Sequence, residues 1–237
     1  QRDSVTHSQS EEPKMSQRQL LSLGVSNAKT AKSEKKSNYS TLILYLSPYK
    51  LSGKNFCPSA SPGCVKSCLF TAGRGAMSSV EEARQARSEL FIKDRQTFLE
   101  IVRQDIRRHI KRCKRNGKLP AVRMNGTSDL PWEAFRIMQE FPSVQFYDYT
   151  AIHTRAEASV AHPVWPKNYH LTFSRKENNE GKALELFGRG VNVAVVFRKT
   201  PPKTWKGLPV FNGDNTDLRF LDPKGMIIGL TAKGKAK

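Results

Sequence analysis

Cysteine is scarce, acidic residues are outnumbered, and no long apolar run is present. The 237 residues include only four cysteines. That is too few for the disulfide frameworks that replace a core in small secreted domains. No stretch approaches the roughly 18 apolar residues of a membrane span, so a membrane is not expected as a partner. No hydrophobic signal segment opens the chain, so the expectation is that it stays in the compartment where it is made. Internal repeats are absent. So are the Lys-Ser/Thr of a phosphate-binding P-loop and the His-x-His pair of a rolling-circle nickase. His109, His153, His162 and His170 are scattered.

What is abundant is positive charge. Forty Lys and Arg face 21 Asp and Glu, giving a formal net charge of +19. Self-repulsion of that size is relieved by a polyanion, and a basic patch or stripe is the electrostatic footprint of a nucleic-acid binder. The partner expected is a nucleic acid, DNA in the first place, with single strands possible.

Residues 1–38 are polar and charged except for Leu20, Leu21, Leu23 and Val25. They are expected to form a flexible tail with a docking point at Leu20–Val25, ahead of a single domain over 39–237. In that domain, strand candidates fall at 41–46, 121–124, 144–149, 169–173, 191–198, 210–211 and 226–230. Several are continuous apolar runs, as in strands buried on both faces of a parallel sheet. A long helical pattern covers 78–115, with a break possible, and shorter ones fall at 131–141 and 178–188. Ser78 and Ser79 stand three residues before Glu81 and Glu82, a capping-box signature, and Asn116-Gly117 ends the pattern. The fold class expected is α/β, a small or incomplete βα-barrel-like parallel sheet, with an open doubly wound sheet as the alternative.

Polar clusters follow most of these strands: Asn125–Asp129, Tyr147–Thr150, Ser174-Arg175, Arg198-Lys199 and Asn212–Asp217. In parallel α/β folds the C-terminal strand ends converge on the functional crevice. Most of these clusters alone also read as ordinary turns or helix caps, but Tyr147-Asp148-Tyr149, two aromatics and an acid, is not a turn former. Read together, Tyr149 and Tyr147 are the candidate nucleophiles. Asp129, Asp148, Asp214 and Asp217 are the candidate holders of a divalent metal.

Cys57, Cys64 and Cys68 crowd the loop after the first strand candidate. Three thiolates leave one position open on a zinc ion or an iron–sulfur cluster. Structural thiols in a tight loop are the plain alternative. Cys113 reads as a bystander.

The densest charge is at the end of the long helix: Arg103, Arg107, Arg108, Lys111, Arg112, Lys114, Arg115 and Lys118. Cations suit a helix C-terminus, but this number exceeds that need and predicts contact with phosphates. Arg175, Arg198 and Lys199 are further candidates. Lys203 and Lys206 flank Trp205, and Lys233, Lys235 and Lys237 close the chain.

The segments Cys57–Met77, Val122–Trp132, Phe146–Thr150, Tyr169–Ser174, Val191–Phe197 and Asn212–Lys235 together resemble a poorly characterised family of bacteriophage proteins. The resemblance spans nearly everything after residue 38. It implies a phage origin and action in the cytoplasm of an infected bacterial host, and it assigns no catalytic residue. The placement of the cysteine loop also resembles radical S-adenosylmethionine enzymes, in which three cysteines hold an iron–sulfur cluster. The spacing here, six residues and then three, departs from that family's three and two. Two functions are therefore expected: a DNA-binding protein of replication or genome processing, or a metal- or iron–sulfur-dependent enzyme that modifies a nucleic acid.

Overall fold

The computed structural model describes residues 19–68, 70 and 73–236. Its centre is one nine-stranded sheet. Seven strands run parallel: β2 (Tyr39–Leu44), β3 (Leu119–Arg123), β4 (Gln145–Thr150), β5 (Tyr169–Ser174), β6 (Val193–Phe197), β9 (Ile227–Thr231) and β8 (Leu208–Asn212), side by side in that order. The edges are β1 (Leu21–Leu23), antiparallel on β2, and β7 (Thr204–Trp205), antiparallel on β8. The parallel α/β sheet expected from the sequence is present. The order β2 to β6 never reverses, which separates it from the doubly wound alternative. It also has two edges, so closure into a barrel is not shown.

Crossovers that always step in the same direction put their helices on one face. That face carries α3 (Ser78–Lys93), α4 (Arg95–Arg115), α6 (His153–Ala161) and α7 (Glu180–Gly188), while the short helices α2 (Pro62–Lys66) and α5 (Ile137–Glu140) belong to the connections after β2 and β3. Leu42, Leu44, Val122, Phe146 and Leu171 meet Phe98, Ile101, Val102 and Ile106 of α4 there. Phe173, Val193, Val195 and Ile227 meet Ala156 of α6 and Ala183 and Leu186 of α7. The break in the long helix falls at Asp94, whose carboxylate caps α4 by accepting from the Thr97 amide at 3.0 Å. Met77 precedes α3 without a side-chain cap, so the capping boxes read from Ser78 and Ser79 are not used. Gly117, at φ 61°, takes the left-handed position after α4.

The second face is covered by the chain's beginning and end. Residues 21–35, read from composition as tail, form β1 and α1 (Ala28–Lys35), and the tail reading therefore fails from Leu20 onward. Nothing is apolar in α1 beyond alanine, which is why the sequence did not betray it. It is started by Asn27, whose side chain accepts from the amides of Lys29 and Thr30. It is then held by polar contacts: Thr30 Oγ1 donates to Asp217 at 3.2 Å, Ser33 Oγ accepts from the Asp217 amide at 2.7 Å, and Glu34 accepts from the Thr41 amide at 2.8 Å. The part of the expected tail before residue 19 lies outside the described residues.

Candidate functional site

Successive side chains of a strand point to opposite faces, and in β4 this divides the expected catalytic set. Phe146 packs in the helix-side core while Tyr147 packs with Ala121 and Leu218 on the second face. Asp148 therefore goes with Phe146, and Tyr149 with Tyr147. The two tyrosines and the neighbouring aspartate, adjacent in sequence, do not share a site.

On the second face, at the C-terminal end of the strands, Tyr149 meets Arg123 of β3, whose guanidinium lies 5.0 Å from the ring centroid. Arg123 also pairs with Asp217 at 3.4 Å. Lys29 of α1 stands 3.9 Å from Asp217 and 3.7 Å from Asp214, and Asp214 accepts from the Thr231 amide at the end of β9 at 2.8 Å. Arg219, fully buried, pairs with Asp222 at 3.1 Å. Nε of both Arg123 and Arg219 is buried without a hydrogen-bond partner. At the neighbouring end of β6, Val196 is 54% exposed, so the face opens to solvent there.

Burial shapes the protonation of this cluster. It lowers Lys29 to about 8, against the pull of Asp217 and with the push of Arg219. It raises Asp222 to about 6 despite Arg219. It lowers His170 to about 4, with Arg219 adding to the effect. It holds the Tyr149 phenol at about 12, so near neutral pH this group is a proton donor rather than an attacking oxyanion. Tyr147 is pushed up further, again by burial. Asp214 and Asp217 sit beside Lys29 and Arg123, a set made for holding charge pairs.

The helix-side face at the same strand ends carries a different network. Asp148 accepts from the Asn125 amide at 2.6 Å and from the Tyr169 hydroxyl at 2.7 Å. Arg155 of α6 bonds the Tyr169 hydroxyl, pairs with Asp129 at 3.1 Å and forks onto Glu133 at 2.8 Å. Burial raises Asp148 to about 7, opposed by Arg155 and Tyr169, and raises Asp129, opposed by Arg155. Asn125 Oδ1 gathers Ser128 Oγ, the Leu130 amide and Trp132 Nε1 at 2.8, 2.9 and 3.0 Å. This hub fixes the loop after β3, and a buried polar group so completely used is there for position.

The cysteine loop crosses above these ends. The Tyr49 amide donates to Cys57 Sγ at 3.4 Å, and the Asp129 amide donates to the Phe56 carbonyl at 2.8 Å. From the far side, Glu177 accepts from Ser61 Oγ and the Gly63 amide, both at 2.7 Å, and Lys176 donates to the Ser59 carbonyl at 2.9 Å. Burial pushes the Cys57 thiol up to about 11, with the charges of Cys68, Asp129 and Cys64 adding. Cys68 is raised by burial as well. Among the described residues no group of three or more His, Cys, Asp or Glu stands at metal-holding distance.

The basic stripe sits at the other end of the molecule. His109 of α4 contacts the Ser40 carbonyl at the start of β2, and the amide of Leu119, the first residue of β3, donates to the Asn38 carbonyl. The helix thus runs down the sheet, and its cationic end stands where the strands begin. Arg107, Arg108, Lys111, Arg112, Lys114 and Arg115 are exposed. Arg103 is committed to Glu140 at 2.6 Å and Arg108 to Asp105. Lys111, Arg112, Lys114 and Arg115 have no acidic partner among the described residues. Arg175 pairs with Glu180 at 2.6 Å, whereas Arg198 and Lys199 are exposed at the end of β6. Lys237 lies outside the described residues.

Sequence reasoning missed Arg123, Arg155, Arg219, Tyr169 and Lys29. One signal was available: Arg123 is a lone charge inside the strand run 119–124. Arg155 and Lys29 lie on helices that the apolar pattern did not reveal.

A family model described as Gene product 88 matches residues 19–237. The Gene 88 protein of Mycobacterium phage D29 is 30% identical over 164 residues, which cover 61% of this chain and 62% of that protein. The match thus spans less than two thirds of the relative's length. No solved structure matches. Neither finding bears on the likeness of the cysteine loop to radical S-adenosylmethionine enzymes.

Proposed function

The chain belongs to the Gene product 88 family of bacteriophage proteins, and on that premise we propose that it binds nucleic acid, DNA in the first place, in the cytoplasm of an infected bacterium. The observation that carries this reading is the exposed end of α4. Lys111, Arg112, Lys114 and Arg115 occupy one helix end with no acidic partner among the described residues, in a chain of net charge +19. Unpaired cations at this density repel one another, and a polyanion laid across them relieves that repulsion. Their contacts are to phosphate, so the binding is insensitive to sequence. Each phosphate neutralised adds about 0.9 to the slope of log affinity against log salt on duplex DNA. Titration of a labelled duplex between low and moderate salt tests it: the quadruple change Lys111→Glu, Arg112→Glu, Lys114→Glu and Arg115→Glu flattens the slope by about 3.6 if each side chain meets one phosphate. A slope that the quadruple variant leaves unchanged rejects the α4 surface.

A second reading rests on where the cysteine loop lies. Cys57, Cys64 and Cys68 lie on the loop that crosses above the C-terminal strand ends, where parallel α/β proteins place their chemistry. A zinc ion or iron–sulfur cluster on these thiols would make the protein an enzyme acting on a nucleic acid. Binding would first have to deprotonate Cys57 and Cys68, whose thiols burial pushes up. Anaerobic purification followed by iron, sulfide and zinc analysis decides this: metal that is retained by the unsubstituted protein and lost in Cys57→Ser supports the site, and metal-free protein sinks it.

A further inference from the structure

We propose that the β7–β8 hairpin is a base-stacking platform that selects single-stranded nucleic acid, with Trp205 as the stacking ring; this rests on the nucleic-acid reading above. The hairpin turns through Lys206 and Gly207, at φ 50° and 77°, between the paired residues Trp205 and Leu208. Two left-handed residues in a two-residue loop match the twist of the flanking strands, so the turn is fixed rather than loose. The indole packs against the core made by Phe173, Val193, Val195 and Leu186, yet it is only half-buried.

Cations surround the ring. The Arg175 guanidinium lies 5.9 Å and the Lys206 ammonium 5.8 Å from its centroid. Glu180 anchors both, at 2.6 and 2.8 Å. Arg198, Lys199 and Lys203 are exposed on the segment leading into the hairpin, with no acidic partner among the described residues. The turn stands at the start of β8, and through Arg175 the platform touches the loop after β5, which Lys176 and Glu177 tie to the cysteine loop.

A ring edged by cations is what a single strand uses: a base lies on the ring while its phosphates meet the charges. The bases of a duplex are already stacked on one another and cannot use it. A base arriving on the ring displaces the half-exposed Lys206 ammonium and leaves it available to the backbone. The basic end of α4 lacks such a ring. Phe141, beside Arg107 there, is buried. The two surfaces therefore divide the work: α4 holds phosphates of either form, and the hairpin favours single strands.

The full chain is titrated with a fluorescein-labelled oligonucleotide of about 20 nucleotides, long enough for several stacking sites, as a single strand and annealed to its complement. In Trp205→Ala the single-strand affinity falls by about fivefold to 150-fold, since stacking one base is worth about 1–3 kcal/mol, while duplex affinity holds. Trp205→Phe keeps a ring and the packing beneath it; its single-strand affinity stays near that of the unsubstituted protein, while the tryptophan quenching caused by the oligonucleotide is lost. Trp132 is fully buried; Trp165, partly buried and stacked on Tyr169, is replaced by Phe in both the reference protein and the Trp205→Phe variant, so the quenching that is lost belongs to Trp205. Unchanged single-strand affinity in Trp205→Ala, or an equal loss on both forms, overturns the platform. If the unsubstituted protein binds neither form, the nucleic-acid reading itself falls. If it binds both with steep salt dependence and Trp205→Ala alters neither, only the platform falls.

Discussion

Asp105 accepts the backbone amide of Leu20 at 2.8 Å, across 85 positions of chain. Its same oxygen takes the Leu21 amide at 3.0 Å. The carboxylate is thus the clasp that ties the first strand to the long helix. Without it, β1 would keep only its three-residue edge pairing and the burial of Leu20 and Leu21 in the core.

Replacing Asp105 with Ala leaves two buried amides unpaired and the Arg108 charge without its partner. A hydrogen bond to a charged group contributes about 1.5–3 kcal/mol. The expected cost is about 2–4 kcal/mol in urea unfolding. Amide exchange at Leu21–Leu23 rises more than exchange in β4. Equal exchange in both regions would show that the clasp does not hold β1 separately from the rest.

Asn125→Ala removes the hub that collects Ser128, Leu130 and Trp132. Trp132, with no exposed surface, cannot replace the bond to its indole N–H with water. The expected loss is about 2–4 kcal/mol, from several unpaired buried groups at once. Asn125→Asp keeps the acceptor but sets a second carboxylate against Asp148, so it is no rescue. A midpoint within error of the unsubstituted protein for Asn125→Ala contradicts the hub.

His170 titrates at about 4 in the folded chain, well below an unfolded histidine near 6.5. Between these two values the unfolded state binds more protons, so acid favours unfolding. The stability from this group is whole above about pH 6.5 and drains away as pH falls toward 4. In His170→Asn the urea midpoint falls less steeply over that window. Identical pH slopes for the two proteins would remove His170 as the cause. Asp222, raised to about 6, opposes this trend in both proteins and cancels in the comparison.

The sequence by itself determined the class of the fold. Seven of the nine strands were legible, most plainly the apolar runs of β6 and β9. The long helix showed its period of 3.6, and the charge that predicts a polyanion is a sum over residues that needs no coordinates. What escaped was whatever tertiary contacts hold in place of apolar burial: α1 and α6, stabilised by polar bonds to distant residues, and β1 and β7, short edges that exist only because a neighbouring strand accepts them.

The candidate site was decided only in three dimensions. Tyr147, Asp148 and Tyr149 looked like one cluster, and the alternation of β4 sends the acid to one face and the phenols to the other. Arg123 and Asp217, distant in sequence, become an ion pair because α1 and the chain's last turns cover the same sheet face. The basic helix end and the strand-end crevice, which sequence could place side by side, stand at opposite ends because α4 must run back down the sheet before the next parallel strand can begin.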